Sequence, residues 1–320
     1  MMLLDWIKRI KRQWQFFLQK KRIIYREKKC RDKKGALERD ILIYAHSLEK
    51  GMGIPNPRKG YGKEKADILV NHLRTCMMNY GINSFAFCEG IAVLDAYIAL
   101  MKSQNEGIDL ICEKRNEIKT DEKDYENYCK AGVKEYSYIE LSRDYYKNLD
   151  DIISSRHSIR HFSKEYITED EMKIAIALAN KAPSACNRQP VKVYYTKTQE
   201  KARLFEDMVD GSHGFQGEIP YFLLVTVNRA YFSDDEYLQW YTNAGIYIGY
   251  LTLALHSCGI GSIILQWKYA QKCEERVRSL FGIRPTEAIA AIIGYGKYSE
   301  DGTKCIVAQR KRPEETMIGI

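Results

Sequence analysis

Ser155-Arg-His-Ser-Ile-Arg-His-Phe162, with Ala182-Pro-Ser-Ala-Cys-Asn-Arg-Gln-Pro190 following it, is the passage on which the reading of this chain turns. The first segment gathers Arg156, His157, Ser158 and Arg160 just beyond the end of a helix expected over 144–155. Guanidinium forks beside a hydroxyl suit a phosphate monoester or a polyol chain. In the second, Pro183, Ser184, Asn187, Gln189 and Pro190 make a stiff loop of compact hydrogen-bonding groups ahead of a strand expected over 191–196. Such a loop can offer amide donors and acceptors to a flat heterocycle. A third basic cluster, Arg310-Lys-Arg312-Pro313, lies near the C-terminus.

Outward from these segments the pattern separates into three stretches: 1–35, 36–143 and 144–320. From 144 onward, helices alternate with short apolar strands. Thr168-Glu-Asp-Glu171 is a capping box opening a helix to about 181, because Thr168 can accept the N3 amide while Glu171 reaches back to the cap. A helix over 199–209, a strand over 221–227, a long apolar helix over 235–257 and buried strands over 262–265 and 288–293 complete the series. This alternation argues an α+β or α/β sandwich. Residues 36–143 read as mainly helical, with segments over 36–50, 63–80 and 84–102. Gly51 is a good C′ residue for the first of these. The loop over 51–62 is too rich in Gly and Pro for regular structure. The polar, Lys/Glu-rich stretch over 103–135 has little to bury and reads as a linker or a mobile excursion. There is no internal repeat.

The net charge of +8 over 320 residues belongs to one end. Residues 1–35 hold thirteen Lys/Arg against Asp5, Glu27 and Asp32, a local charge of +10, which leaves about −2 for everything else. The basic balance therefore says little about the substrate of the main body. Leu3, Ile7, Ile10, Trp14, Phe17 and Ile24 fall along one helical face. Lys8, Arg9, Lys11 and Arg12 interrupt the apolar run far below the ~18–20 residues of a membrane span, and no uncharged signal core is present. A basic amphipathic helix of this kind can lie on an anionic membrane surface or pack on the protein or a partner subunit. The expected location is cytoplasmic, with peripheral membrane contact through residues 1–35 as one outcome. Nucleic acid is not an expected partner, because no reading module accompanies the basic segment.

Several familiar chemistries are missing. There is no G-x-G-x-x-G after a strand and no G-x-x-x-x-G-K-[ST]. Gly259-Ile-Gly261 lacks the third glycine and precedes a strand, so a Rossmann reading fails. Six histidines form no metal set, and nine cysteines include no C-x-x-C pair, so no metal is expected and the thiols read as reduced. Cys186 reads as packing. Asn243 reads as a core amide on the long helix, and Trp240, Tyr241 and Trp267 as core aromatics or walls of a substrate cavity.

In that order, the three segments resemble the nitroreductase family of FMN-dependent oxidoreductases. The family's opening signature, R-[RH]-S-x-R-x-F, is met by Arg156-His157-Ser158-Ile159-Arg160-His161-Phe162, and its second, A-P-S-x-x-N-x-Q-P, by residues 182–190. Ala254-Leu-His-Ser-Cys-Gly-Ile-Gly-Ser262 resembles the small-residue turn after the family's central helix, and the basic pair before Pro313 resembles its closing motif. The resemblance spans about 144–320. It implies an α+β fold, a nitroreductase-like α-β-α sandwich carrying a helical N-terminal extension, with FMN at a homodimer interface. Arg156, His157, Ser158 and Arg160 would hold the phosphate, ribityl chain and pyrimidine edge, and Arg310 and Arg312 would complete the phosphate cradle. Pro183, Ser184 and Asn187 would come from the other subunit. Gly259, Gly261 and Ser262 would lie close to the isoalloxazine.

The activity so implied is ping-pong reduction by NADH or NADPH of a planar, electron-poor acceptor such as a nitroaromatic, quinone or enone. No side chain is assigned as catalytic, since flavin N5 carries the hydride. Two alternatives stand beside it. One is a specialised flavin reaction on the same fold. The other is a non-catalytic flavoprotein or membrane-surface protein. His46-Ser-Leu-Glu-Lys-Gly51 and the loop over 51–62 resemble an extension found on nitroreductase-like proteins of surface-polysaccharide gene clusters.

Overall fold

A computed structural model of the chain describes residues 6, 10, 13, 14, 17, 32–54, 58–120, 131–209, 211–236, 238–267, 271–306 and 308–320. Most of the amphipathic helix expected over 1–35, including Leu3, Ile7 and Ile24, lies outside the described residues. Trp6, Ile10, Gln13, Trp14 and Phe17 are helical. Trp6, Ile10, Trp14 and Phe17 are exposed, with the rings of Trp14 and Phe17 5.8 Å apart.

The extension has a core of its own. Helix α1 (Lys33–Met52) begins where the Asp32 side chain accepts the Gly35 amide, and buries Ile41, Leu42, Ala45 and Leu48 at helical spacing. Helices α2 (Lys63–Tyr80) and α3 (Phe85–Ser103, capped by Ser84) pack on it through Leu69, Leu73, Phe87, Ile91 and Leu94. Helix α1 does not stop at Gly51 but runs through it. A Cβ there would come within 2.4 Å of the Tyr61 ring, so this glycine serves close packing rather than termination. The stretch expected to be a linker contains helix α4 (Asp109–Asn116). Ile108, Ile111 and Ile118 are a sparse apolar stripe, each less than a tenth exposed. The fork of Arg115 on Asp95, at 2.6 and 2.8 Å, ties α4 to α3.

The remainder is a four-stranded antiparallel sheet covered on both faces. Strands β1 (Val191–Tyr195), β2 (Tyr221–Asn228), β3 (Ile260–Leu265) and β4 (Glu287–Lys297) lie in the order β1-β2-β4-β3. Alternation along β2 sends Leu223 and Val225 toward helices α7 (Glu169–Ala179) and α9 (Gln239–Ser257). Phe222 and Leu224 point the other way, into a core with Phe205 of α8 (Gln199–Glu206) and Val277 of α10 (Gln271–Phe281). Two short helices, α5 (Tyr138–Leu141) and α6 (Tyr146–Ser155), precede this sandwich. The fold is α+β, an α-β-α sandwich with a helical N-terminal extension. The Thr168 capping box forms in full.

Candidate functional site

The chain leaves α6 directly into the basic strip, and the sheet fixes where that strip lies. Ser158 bridges Ser262 in parallel, the Ile159 amide donates to the Ser262 carbonyl at 3.0 Å, and the Ser163 amide donates to Lys297. Phe162 docks against Gly296, where a Cβ would be 2.8 Å from its ring. The strip is thus an extra edge beside β3, and Gly261 and Ser262 lie against it. Gly259 makes the turn from α9 into β3 at φ +71°. Behind the strip runs a hydrogen-bond chain that the sequence did not reveal. Tyr298 Oη lies 2.7 Å from His256 Nδ1, and His256 Nε2 lies 2.8 Å from Ser155 Oγ, which donates onward to the Asp151 carbonyl. Burial, with Arg156 and His157 nearby, holds the imidazole pKa below its ordinary value. The neutral ring suits this chain: Nδ1 accepts from Tyr298 and Nε2–H donates to Ser155. Its effect is to pin the end of α6 from which Arg156 projects.

The side chains of Arg156 and His157 make no hydrogen bond or ion pair among the described residues. Arg160 touches the Ser158 carbonyl at 3.4 Å and lies over Phe215. Among the described residues no carboxylate pairs with Arg156, His157 or Arg160, and the chemistry of this donor set fits a phosphate monoester such as that of FMN. Among the described residues no three His, Cys, Asp or Glu side chains converge on a metal position.

The second segment is a loop held under strain. Cys186, Asn187 and Gln189 all have positive φ, at 49°, 50° and 45°. Each such residue costs on the order of 1 kcal/mol, and persists only where its surroundings over-determine it. Here the brace is Arg188, 1% exposed. Its guanidinium donates to the carbonyls of Ala185 and Tyr231 and forks onto the Glu236 carboxylate. It also lies 4.7 Å from the centre of the Phe232 ring. The Arg188 hydrogen bond, aided by donors from Ser233, holds the Glu236 pKa down to about 2. Asn243 of α9 accepts the Ala185 amide at 2.8 Å, and Ser184 Oγ accepts the Gln189 amide at 3.0 Å. Pro183 and Asn187 remain exposed at the loop's outer side. Trp240 and Trp267 pack on the cores, while Tyr241 is half exposed and stacks on Trp240.

Within one chain the strip and the loop do not meet. Asn243 touches the loop near the start of α9 and His256 touches the strip near its end. At roughly 1.5 Å per residue they are about 20 Å apart along the helix. Arg310 and Arg312 lie in the exposed tail and bond to their own neighbours. Arg310 donates to Ala308 and Gln309 carbonyls, and Arg312 faces Glu315 at 3.5 Å.

The extension supplies residues that motif reading missed. Helix α1 packs on the strained loop and on the 3-10 turn at Arg229–Tyr231, where Tyr231 Oη donates to Glu38 at 2.8 Å. Asn187 Nδ2 donates to Glu89 of α3. These two residues stand 98 positions apart in sequence and meet only in the fold.

Residues 153–213 match the sequence model of the nitroreductase family. A curated relative described as an NADH dehydrogenase, from Thermus thermophilus, is 26% identical over 179 residues, covering 46% of this chain and 85% of its own length. A nitroreductase family protein of Streptococcus pneumoniae superposes with a TM-score of 0.44 at 19% identity, over 54% of this chain and 99% of its own. An FMN-dependent nitroreductase of Clostridium difficile gives 0.42 at 18%, over 49% and 90%. The matched segment, residues 153–213, contains both quoted signatures and is similar to the nitroreductase family, while the helical N-terminal extension lies outside it.

Proposed function

We propose that the chain is an FMN-dependent oxidoreductase working as a homodimer, with NADH or NADPH as electron donor and a planar, electron-poor acceptor of nitroaromatic, quinone or enone type. The observation that carries this reading is the placement of the two signature segments at opposite ends of α9. The outward stripe of that helix, Thr242, Gly245, Ile246, Gly249 and Tyr250, is exposed, and the space beyond both glycines is open. An exposed apolar stripe with small residues admits a second helix at close range. Two copies of α9 crossed antiparallel would set the loop of one beside the strip of the other. The site then needs both copies. Exposed Leu149 and Ile153 on α6, and Met317 and Ile318 in the tail, supply further apolar surface for the partner.

In such a dimer Arg156, His157, Ser158 and Arg160 hold the phosphate and polyol, with Arg310 and Arg312 of the tail drawn in beside them. Pro183, Ser184 and Asn187 of the second copy, with Gly259, Gly261 and Ser262, line the ring. Bound FMN supplies the hydride chemistry, so the chain needs no nucleophile of its own. The cationic strip favours the charge that accumulates on reduction. The test is the visible spectrum of the purified protein before and after anaerobic NADH or NADPH, with the released chromophore identified. A yellow protein whose colour is FMN and bleaches on reduction is expected. A colourless chain that takes up no added FMN overturns the reading.

A further inference from the structure

The strained loop is braced from inside the sandwich at Ala185 and Arg188, but its outer residues are held differently. Asn187 Oδ1 accepts from Gln189 Nε2 at 3.0 Å, and Asn187 Nδ2 donates to Glu89 Oε1 at 3.4 Å. That last hydrogen bond is long. A directed chain thus runs from the loop into the first half of α3. Glu89 is partly buried, and burial raises its carboxyl pKa, opposed by the bond from Asn187. Beside it stands Glu49 from the end of α1, with His46 Nδ1 3.8 Å from the Glu49 carboxylate.

An amide side chain can present either its oxygen or its NH2, and only its partners decide which. A carboxyl oxygen accepts, and the donor that Glu89 Oε1 takes is the Asn187 Nδ2–H. With Glu89 as partner, Asn187 must turn Nδ2 toward the extension and Oδ1 toward Gln189. Gln189 must then spend an N–H on Asn187, which leaves its own Oε1 free as an acceptor.

We propose that Glu89 is a positioning residue for the flavin loop: it orients the Asn187 and Gln189 amides, and so makes the helical extension part of the flavin site. The inference rests on the flavin reading and extends it to residues outside both signatures. It assigns the extension a task on the cofactor, reached through Asn187, rather than a separate activity.

The experiment is a double-mutant cycle on the full chain, reading FMN dissociation constant and flavin midpoint potential. The variants are Glu89→Ala, Asn187→Ala and the pair, with isosteric Glu89→Gln as a second probe of Glu89 and Arg156→Ala as a control at the phosphate. Glu89→Ala and Asn187→Ala are each expected to weaken FMN by about 10-fold, the cost of one hydrogen bond, and to shift the potential. Glu89→Gln, which can donate as well as accept, should shift the potential too. Because Glu89 acts through Asn187, the double variant should be no weaker than Asn187→Ala alone. Three outcomes overturn the inference while leaving the flavin reading intact. They are Glu89 variants with wild-type affinity and potential beside a weakened Arg156→Ala, losses that multiply in the double variant, or a potential unmoved by Glu89→Gln. A wild-type chain that binds no FMN overturns both.

Discussion

Arg188 shows how one side chain can hold three strained neighbours in place. It is almost fully buried, and its guanidinium ties the Ala185 carbonyl of the loop to Glu236, the Tyr231 carbonyl and the Phe232 ring. Arg188→Ala leaves Glu236 with only its Ser233 donors and removes the brace from the loop, so a loss of about 3 kcal/mol in urea unfolding is expected, with weaker FMN binding. Arg188→Lys should not restore either, since a point charge cannot reproduce the fork; full rescue by Lys would refute the bracing role. Glu49 makes a second test at this scale. Burial, then the charge of Glu89, pushes its carboxyl from 4.5 to about 7. A raised carboxyl contributes stability that is fully present below its unfolded value and lost as pH rises through its folded one. The wild type should therefore lose stability from about pH 4.5 to 7 on account of this group, and Glu49→Gln should flatten that limb. Equal pH slopes in the two proteins would show the carboxyl titrates normally. At this scale the strip was legible because Arg156-His157-Ser158 sit together in sequence. Arg188 was not, because its partner Glu236 is 48 positions away and an arginine in a polar loop reads as a surface charge.

In the proposed dimer, helix α9 is the element that brings the two copies together. The sequence shows a long apolar helix over 235–257, but one apolar nearly all round, so periodicity could not say which stripe faces out. The structure starts it at Gln239, after Leu238 at φ +59°, and leaves Gly245 and Gly249 uncovered. Strands were readable from their apolar runs, although their antiparallel pairing and order were not, because pairing is set between distant segments. Three helices escaped, the single-turn α5 among them. In α4 the buried stripe is three isoleucines among charges, and in α10 Val277 is fully buried in a helix dense with Lys, Arg and Glu. The prediction at this scale uses the open space around Gly245. Gly245→Leu adds a side chain that a single chain accommodates and that improves helix propensity by roughly 0.5–1 kcal/mol, so the folded protomer should be at least as stable. A partner helix at that position would be displaced. The expected result is a smaller species by analytical ultracentrifugation, with unchanged helicity and lost FMN. A variant that stays dimeric and yellow would move the interface elsewhere.

Charge divides the whole molecule unevenly, and the division predicts separable functions. The +10 of residues 1–35 stands against about −2 for the rest, while the strip, the strained loop and Glu89 all lie beyond the basic segment. Trp6, Ile10, Trp14 and Phe17 are exposed, and their spacing puts them on one helical side. Among the described residues no helix is long and apolar enough to cross a membrane. An aromatic stripe flanked in sequence by lysines and arginines suits an anionic lipid surface, where each basic residue contributes up to about 1 kcal/mol. The comparison is between the full chain and one beginning at Arg31, which keeps the Asp32 cap of α1. Both should bind FMN and turn over NAD(P)H alike. Only the full chain should sediment with vesicles containing phosphatidylserine, and it should be released as the Debye length shrinks from about 10 Å at 0.1 M salt to about 3 Å at 1 M. Equal sedimentation of the two chains would assign the segment to packing on the protein or its partner copy. A shortened chain that loses FMN would instead place residues 1–30 among the supports of the flavin site, alongside α1 and α3.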